Sequence, residues 1–360
     1  MKNISMIGVD LSKNLMHVVF MTGNGTVVKR KKYLKCSILD FINDLPPKVT
    51  VCAEACAGAH YFGRLIQIKG YDVKLIPPQY VKPFVQRNKN DYNDAVAIVE
   101  AASRDNMKFV PVKSEYIQDI QSLHTAKSQI TKVHTAFINC IRGILAEFEI
   151  TIPQGVASFK RYLREQFNDD GKIPCHTRIA VNALVNIFNE IEEMLLEVNR
   201  DIDKVARTDS KAKRLITIPG VGEKTATALL TVSGDPKVFK NGRTFSASLG
   251  LTPRQNTTAD NQKLLGISKQ GNMYVRRLLV GCARSLINKA MRRIVTAQRT
   301  IAYMSNDGMS LWIRRLLARN VHSNKVCVAV ANKLARISYR ILVDGGEYKA
   351  NLSNGSPLKQ

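Results

Sequence analysis

The sequence predicts an α/β domain built on a mixed sheet, then a long helical arm, then a mostly helical and basic C-terminal domain. Three observations carry this reading. Short β-rich runs divided by turns fill residues 1–112. Long segments with apolar residues three and four apart fill residues 113–210. Helical spacing with an excess of lysine and arginine runs through residues 211–345, before a tail at 346–360 with the composition of a disordered segment.

Each element has its own signal. "SMIGVDLS", "LMHVVFMT" and "TVVKRKKYL" read as strands separated by turns such as "GNG". "SILDFINDL" has helical spacing, and "VTVCAEA" is a further strand. "AHYFGRLIQIKG" is a helix that ends at Gly70, "YDVKLIPP" a strand closed by prolines, and "DYNDAVAIVEAASRDN" a helix. Three strands followed by helices alternating with further strands make a mixed sheet. "IQDIQSLHTAKSQITKVHTAFINCIRGILAEF" and "TRIAVNALVNIFNEIEEMLLEVNRDIDKVA" are two long helices joined by a polar, Gly- and Pro-containing connection. They predict a helical hairpin or coiled-coil arm, an arrangement that suits dimerisation. No internal repeat is visible.

Composition narrows the function. Hydrophobic residues at 45% and charged residues at 23% are ordinary for a globular chain. The charge balance is not: 54 Lys and Arg against 29 Asp and Glu give +25. Such an excess repels itself unless it meets a polyanion, and nucleic acid is the usual one. No stretch approaches the ~20 apolar residues of a membrane span. An odd, scattered set of 7 cysteines predicts reduced thiols in a cytosolic protein. "CAEAC" followed by His60 lacks the second Cys/His pair that a four-ligand zinc site needs.

Acidic residues stand out against this basic background. Asp10 lies near the end of the first strand and Glu54 at the end of a later one, both flanked by apolar residues. A carboxylate at a buried strand end is costly unless it is paired, and a cation resolves that. Asp91 and Asp94, three apart, project from one face of a helix. Acidic residues in a first turn also simply complement the helix dipole. If that helix packs beside the two strand ends, four carboxylates meet in one pocket. Hard oxygen ligands of this kind suit Mg²⁺, with Mn²⁺ as the alternative, and a two-metal site serves phosphodiester cleavage. Strand-Asp, later-strand-Glu and helix-DxxD is the layout of RNase H-like nucleases of the RuvC kind. Lys13, Arg87, Lys89 and Asn90 flank these carboxylates and have the chemistry to hold phosphates.

The C-terminal part carries "LITIPGVGEKTATALL", which matches a helix-hairpin-helix pattern. Gly220 and Gly222 let backbone amides approach a phosphate at a helix N-terminus, with Lys224 in its first turn. With "GVDLSK", "AEACAG", "KNDYNDA", "IPGVGEKTA", "GLTPRQN" and "GISKQGNMYVRRLL" in this order, the chain resembles a DEDD-type insertion-sequence transposase. That family joins a RuvC-like domain to a C-terminal transposase domain, and includes the Piv-type DNA invertases and the bridge-RNA-guided recombinases. The resemblance implies a DNA-recombining enzyme of the bacterial cytoplasm and nucleoid, acting as a homodimer or homotetramer. It implies Mg²⁺ bound by Asp10, Glu54, Asp91 and Asp94, a hydroxyl nucleophile in the C-terminal domain, and a structured non-coding guide RNA in members that use one. Arg254, Lys269, Arg276 and Arg277 are the expected phosphate contacts of that domain.

One segment departs from the family pattern. The nucleophilic serine stands in a Ser-Ser-Gly-Gly-like run after "GLTPRQ", where this chain reads Asn256-Thr257-Thr258-Ala259-Asp260. Counting from "PRQN" puts Thr258 at the serine position. Its hydroxyl can attack phosphorus, although the β-methyl crowds the approach and restricts χ1. Ser268 or Thr257 acting in its place, or strand transfer lost altogether, are the alternatives. Three rival functions stay open: a Piv-like invertase, a RuvC-like nuclease without strand transfer, and an inactive nucleic-acid-binding relative.

Overall fold

The computed structural model describes residues 4–85, 91–167, 171–232, 234–258, 261–297 and 308–349. Arg87, Lys89 and Asn90 therefore lie outside the described residues, as does most of the expected tail. The chain folds as two compact units: Met1–Gln118 with Ser233–Val238, and Asp119–Val232 with Phe239–Gln360.

The first unit runs β1 (Ile4–Leu11), β2 (Leu15–Thr22), β3 (Val27–Leu34), α1 (Ile38–Asn43), β4 (Thr50–Glu54), α2 (Ala59–Ile68), β5 (Asp72–Ile76), α3 (Pro78–Val81) and α4 (Asp91–Ala102). Its sheet has the order β3-β2-β1-β4-β5, antiparallel on the β3 side and parallel from β1 to β5. Sequence explains the order. Tight turns join β1 to β2 and β2 to β3; the second uses Gly25 at φ +78°. The chain reaches β4, beside β1, by way of α1, and β5, beside β4, by a crossover through α2. Val51, Cys52 and Ala53 of β4 are fully buried, as a strand covered on both faces must be.

Side-chain parity then sorts the two faces. Ile7, Val9, Val18, Phe20, Val51 and Ala53 point toward α1 and α2 and pack on Phe41 and Phe62. On the opposite face Cys52 and Ile76 pack on Ala97, Ile98 and Ala101 of α4. Gly8 also faces α4, and a Cβ there would stand 2.2 Å from the Ala95 carbonyl oxygen and 2.3 Å from Val99 Cγ2. The absent side chain on β1 and the alanines on α4 let helix and sheet approach closely. That approach positions the site.

The second unit opens with α5 (Glu115–Ala146), which starts in the first, then α6 (Val156–Glu165) and α7 (Cys175–Thr208). The connection between the long helices is not the polar join expected from its composition. Ile150, Ile152, Phe159, Tyr162, Phe167 and Ile173 pack on Ile141, Leu145, Val181 and Phe188, so α6 caps a helical hairpin with a small core. His134 on α5 meets Glu192 on α7 at 2.6 Å.

There follow α8 (Ser210–Ile216), α9 (Glu223–Leu230), α10 (Gly242–Ser248), β6 (Pro253–Thr258), β7 (Asn261–Ile267), α11 (Met273–Ala297), α12 (Gly308–Leu317) and α13 (Ser323–Asp344). His124 ties its own helix α5 to α9 and α11. Its ring nitrogens lie 3.0 Å from Tyr274 Oη and 3.0 Å from Thr227 Oγ1. Thr227 already donates to the Glu223 carbonyl, so it accepts from His124 Nε2–H, and Nδ1 accepts from Tyr274. Burial holds this neutral imidazole down to about 4. Among the described residues no helix is long and apolar enough to cross a membrane.

Candidate active site

The register of the sheet builds the site. Asp10 pairs with His17, and His17 with Lys32. Val9 pairs with Ala53, so one step further along Asp10 and Glu54 share the α4 face. A single row thus crosses the sheet: Lys32, His17, Asp10, Glu54. α4 starts above this row with Asp91 and Asp94 in its first turn.

Asp10, Asp91 and Asp94 each offer a carboxylate oxygen within 4.8 Å of the others. Asp10 and Asp94 are partly buried and Asp91 is exposed. Burial, then the charges of Asp94 and Asp91, push the Asp10 carboxyl up to about 6, while His17 opposes the rise. Burial and Asp94 also raise Glu54, and Lys82 works against that. Glu54 offers no oxygen within the 4.8 Å group, so it joins the others by row and by field rather than by direct approach. Carboxylates that raise one another's proton affinity are also poised for a shared divalent cation. The donor set, all oxygen, fits Mg²⁺ or Mn²⁺.

Two residues of the site escaped the sequence reading. His17 is 4% exposed, and its Nε2 lies 3.5 Å from Asp91 Oδ2. Tyr92 meets the His17 ring edge-on at 5.0 Å. The signal for His17 was its parity with Asp10, which needs the hairpin register to be seen.

The other expected residues fall in different places. Lys13 is exposed in the β1–β2 turn. Gly220 has φ +80° and lies against Leu286, Gly222 precedes α9, and Lys224 is exposed in the first turn of that helix. Arg254 is exposed on β6, and Lys269 is exposed with φ +56°. Arg277 is exposed with its guanidinium 5.6 Å from the Tyr274 ring centroid. Arg276, the remaining expected phosphate contact of the C-terminal domain, is turned inward. It is 8% exposed, and its Nη1 donates to the carbonyls of Leu249 at 3.0 Å and Gln270 at 2.9 Å. Spacing on a helix could not separate it from its neighbour Arg277, because both follow from the same basic run.

Of the segment with the expected nucleophile, Asn256, Thr257 and Thr258 lie in β6, and Ala259 and Asp260 lie outside the described residues. Thr258 ends β6 and pairs with Asn261 of β7, while its side chain lies outside the described residues. Thr257 is exposed and accepts from Gln255 Nε2 at 2.9 Å. The Ser268 amide donates to the Thr252 carbonyl at 2.9 Å, closing the base of the hairpin.

A mixed sheet of this order, with strand-end carboxylates under a helix that begins Asp-x-x-Asp, defines an RNase H-like domain of the DEDD type. Comparison with known proteins agrees. Residues 7–150 match a family model of IS110-type DEDD transposases, and residues 212–296 match the transposase IS116/IS110/IS902 family. The transposase of insertion sequence element IS1328 from Yersinia enterocolitica is 38% identical over 345 residues, 96% of this chain and 98% of that protein. The transposase of IS1111A from Coxiella burnetii is 34% identical, across 97% of this chain and 92% of its own length. A pilin gene-inverting protein of Moraxella lacunata is 27% identical over 135 residues, 37% of each chain. The chain belongs to the IS110 family of insertion-sequence transposases, enzymes that cut and rejoin DNA.

Proposed function

We propose that this transposase exchanges DNA strands at a divalent-metal centre held by Asp10, Glu54, Asp91 and Asp94, with the Thr258 hydroxyl as nucleophile. The observation that carries the reading is the meeting of three carboxylates within 4.8 Å on the α4 face of the sheet. Mg²⁺ bound there would supply Lewis-acid stabilisation of charge on the attacking and leaving oxygens. Asp10, on the central strand, is the fixed member of the set. Asp91 and Asp94 come to it on a helix seated against Gly8. In the exchange the Thr258 oxygen forms an ester to phosphorus, and the bond from phosphorus to one deoxyribose oxygen breaks. That oxygen gains a proton as the threonine loses one, and the reverse attack rejoins a new end.

Phosphates are held elsewhere too. The Gly220–Gly222 turn with Lys224 acts as a helix-hairpin-helix clamp, and Lys13, Arg87, Lys89, Arg254, Lys269 and Arg277 extend the basic surface. A structured non-coding RNA pairs with target and donor DNA, and the acidic centre and the threonine come from different subunits of a dimer or tetramer. The functional division is a DEDD domain at 1–112, a helical arm at 113–210 and a transposase domain at 211–345. The match to a pilin gene-inverting protein supports inversion as a second outcome of the same chemistry.

A plasmid recombination assay tests the reading. Asp91→Asn and Asp94→Asn each remove recombination, a loss of at least ~10³-fold by analogy with other catalytic groups, and leave thermal unfolding intact. Either variant recombining at the normal rate contradicts the metal assignment. For the nucleophile, Thr258→Ser keeps a covalent protein–DNA adduct on a denaturing gel and Thr258→Val loses it. An adduct that survives in the valine variant removes Thr258 from the chemistry, and nicking with no adduct in the wild type leaves a nuclease.

A further inference from the structure

β3 is an outer strand of the sheet and carries consecutive basic residues, Lys29, Arg30, Lys31 and Lys32. Strand parity divides them into two pairs. Lys29 and Lys31 register with Phe20 and Val18, whose side chains enter the core under α1 and α2. Both cations on that side have local partners. Lys31 pairs with Asp44, and Lys29 Nζ lies 5.6 Å from the Phe20 ring centroid.

Arg30 and Lys32 register with Val19 and His17, on the α4 face. Both are exposed, and among the described residues no carboxylate pairs with either. The Arg30 guanidinium lies 6.0 Å from the ring centroid of Tyr92, the residue that follows Asp91 on α4. Lys32 begins the row that runs through His17 to Asp10. Neighbouring strands lie about 4.8 Å apart, so β3 stands about 10 Å from β1.

An edge strand carries lysines for a simpler reason, since charge prevents edge-to-edge aggregation. That purpose places no demand on which face the charges take. Here Lys31, toward the core side, is matched by Asp44, while Arg30 and Lys32, toward the acidic row, are exposed with no carboxylate partner among the described residues. The same row poses an electrostatic problem, because its clustered carboxylates repel the DNA phosphates that must approach them. Cations on β3, two strands from Asp10 on the same face, offset part of that repulsion.

We infer that Arg30 and Lys32 grip backbone phosphates of the DNA strand entering the acidic centre, within two or three nucleotides of the cut by the rough spacing of strands and phosphates. This rests on the reading of that centre as the cutting site. The grip is electrostatic and reads no base sequence.

The test uses the full chain and a labelled DNA duplex in EDTA, so that metal chemistry plays no part. Each phosphate contact contributes about −0.9 to the slope of log affinity against log salt. Arg30→Ala and Lys32→Ala should each reduce the slope by about 0.9, and the double variant by about 1.8. Lys29→Ala, which removes one charge from the same strand on the other face, should leave it unchanged. Arg30→Lys should restore most of the Arg30 contribution, with circular dichroism confirming the fold of each variant. Wild-type slopes in the double variant overturn the inference, as does an equal drop in Lys29→Ala. A loss seen on an RNA oligonucleotide but not on DNA overturns it as well. Recombination by Asp91→Asn would instead count against the metal reading and would leave these slopes as they are.

Discussion

The acidic centre and the β6–β7 hairpin, which the proposed reaction would bring together, are built in opposite ways. The acidic centre rests on a central strand held between neighbours on both sides, under a helix packed against a glycine. Every one of its positions follows from strand register or helix phase. The hairpin has two strands only, with Arg254, Gln255, Asn256 and Thr257 exposed on one and Lys263, Leu264 and Leu265 exposed on the other. Two strands without a covering layer are marginal by themselves. The difference teaches that the acidic half is preorganised by the core, whereas the hairpin owes its geometry to its base. Arg276 braces that base by binding the Leu249 and Gln270 carbonyls. Gly271, at φ +74°, would place a Cβ 1.8 Å from the Ser248 carbonyl oxygen.

Substitutions at two glycines should expose this contrast most strongly. Gly8→Val drives a side chain into the Ala95 carbonyl and Val99, and should cost about 3 kcal/mol or more. Gly266→Ala on β7 meets nothing within 4 Å, and should change stability by less than about 1 kcal/mol, in the favourable direction. Chemical denaturation followed by circular dichroism measures both. Equal losses at the two positions would erase the distinction between a supported and an unsupported half.

A smaller effect sharpens the picture of the second unit. His124 is protonated near 6.5 when unfolded but only near 4 when folded, so between these values the unfolded chain binds more protons. Stability of that unit should therefore fall as pH drops from 6.5 toward 4, by up to about 1.4 kcal/mol per pH unit. His60, in the first unit, shifts the same way for the same reason of burial. The single tryptophan, Trp312 on α12, reports the second unit alone, and its fluorescence during denaturation reads the slope. His124→Gln should lower stability at neutral pH and flatten the acid dependence. An unchanged slope in that variant would assign the acid sensitivity to other groups.

Much of the first unit was legible because alternation and turns declare strands plainly, and because carboxylates at apolar strand ends are conspicuous. A mixed sheet, with Asp10 and Glu54 at strand ends and Asp91 and Asp94 on one helix face, could be read that way; the order of strands and the packing of α4 over Asp10 could not. His17 and the two faces of β3 were not legible, since "LMHVVFMT" and "VVKRKKYL" reveal which residues cooperate only when the register is known. Phe159 and Tyr162 were hidden in the same way, isolated among charged residues whose own spacing looks like a loop. Arg276 and Arg277 adjoin in sequence, yet one is buried and one exposed, a separation made by packing rather than composition.

The most direct measurement is anomalous diffraction from crystals of the protein soaked with Mn²⁺. The account predicts a manganese peak among the carboxylates of Asp10, Asp91 and Asp94, on the α4 face of the sheet, lost in Asp10→Asn. Manganese found only elsewhere, or retained undiminished in that variant, would contradict it.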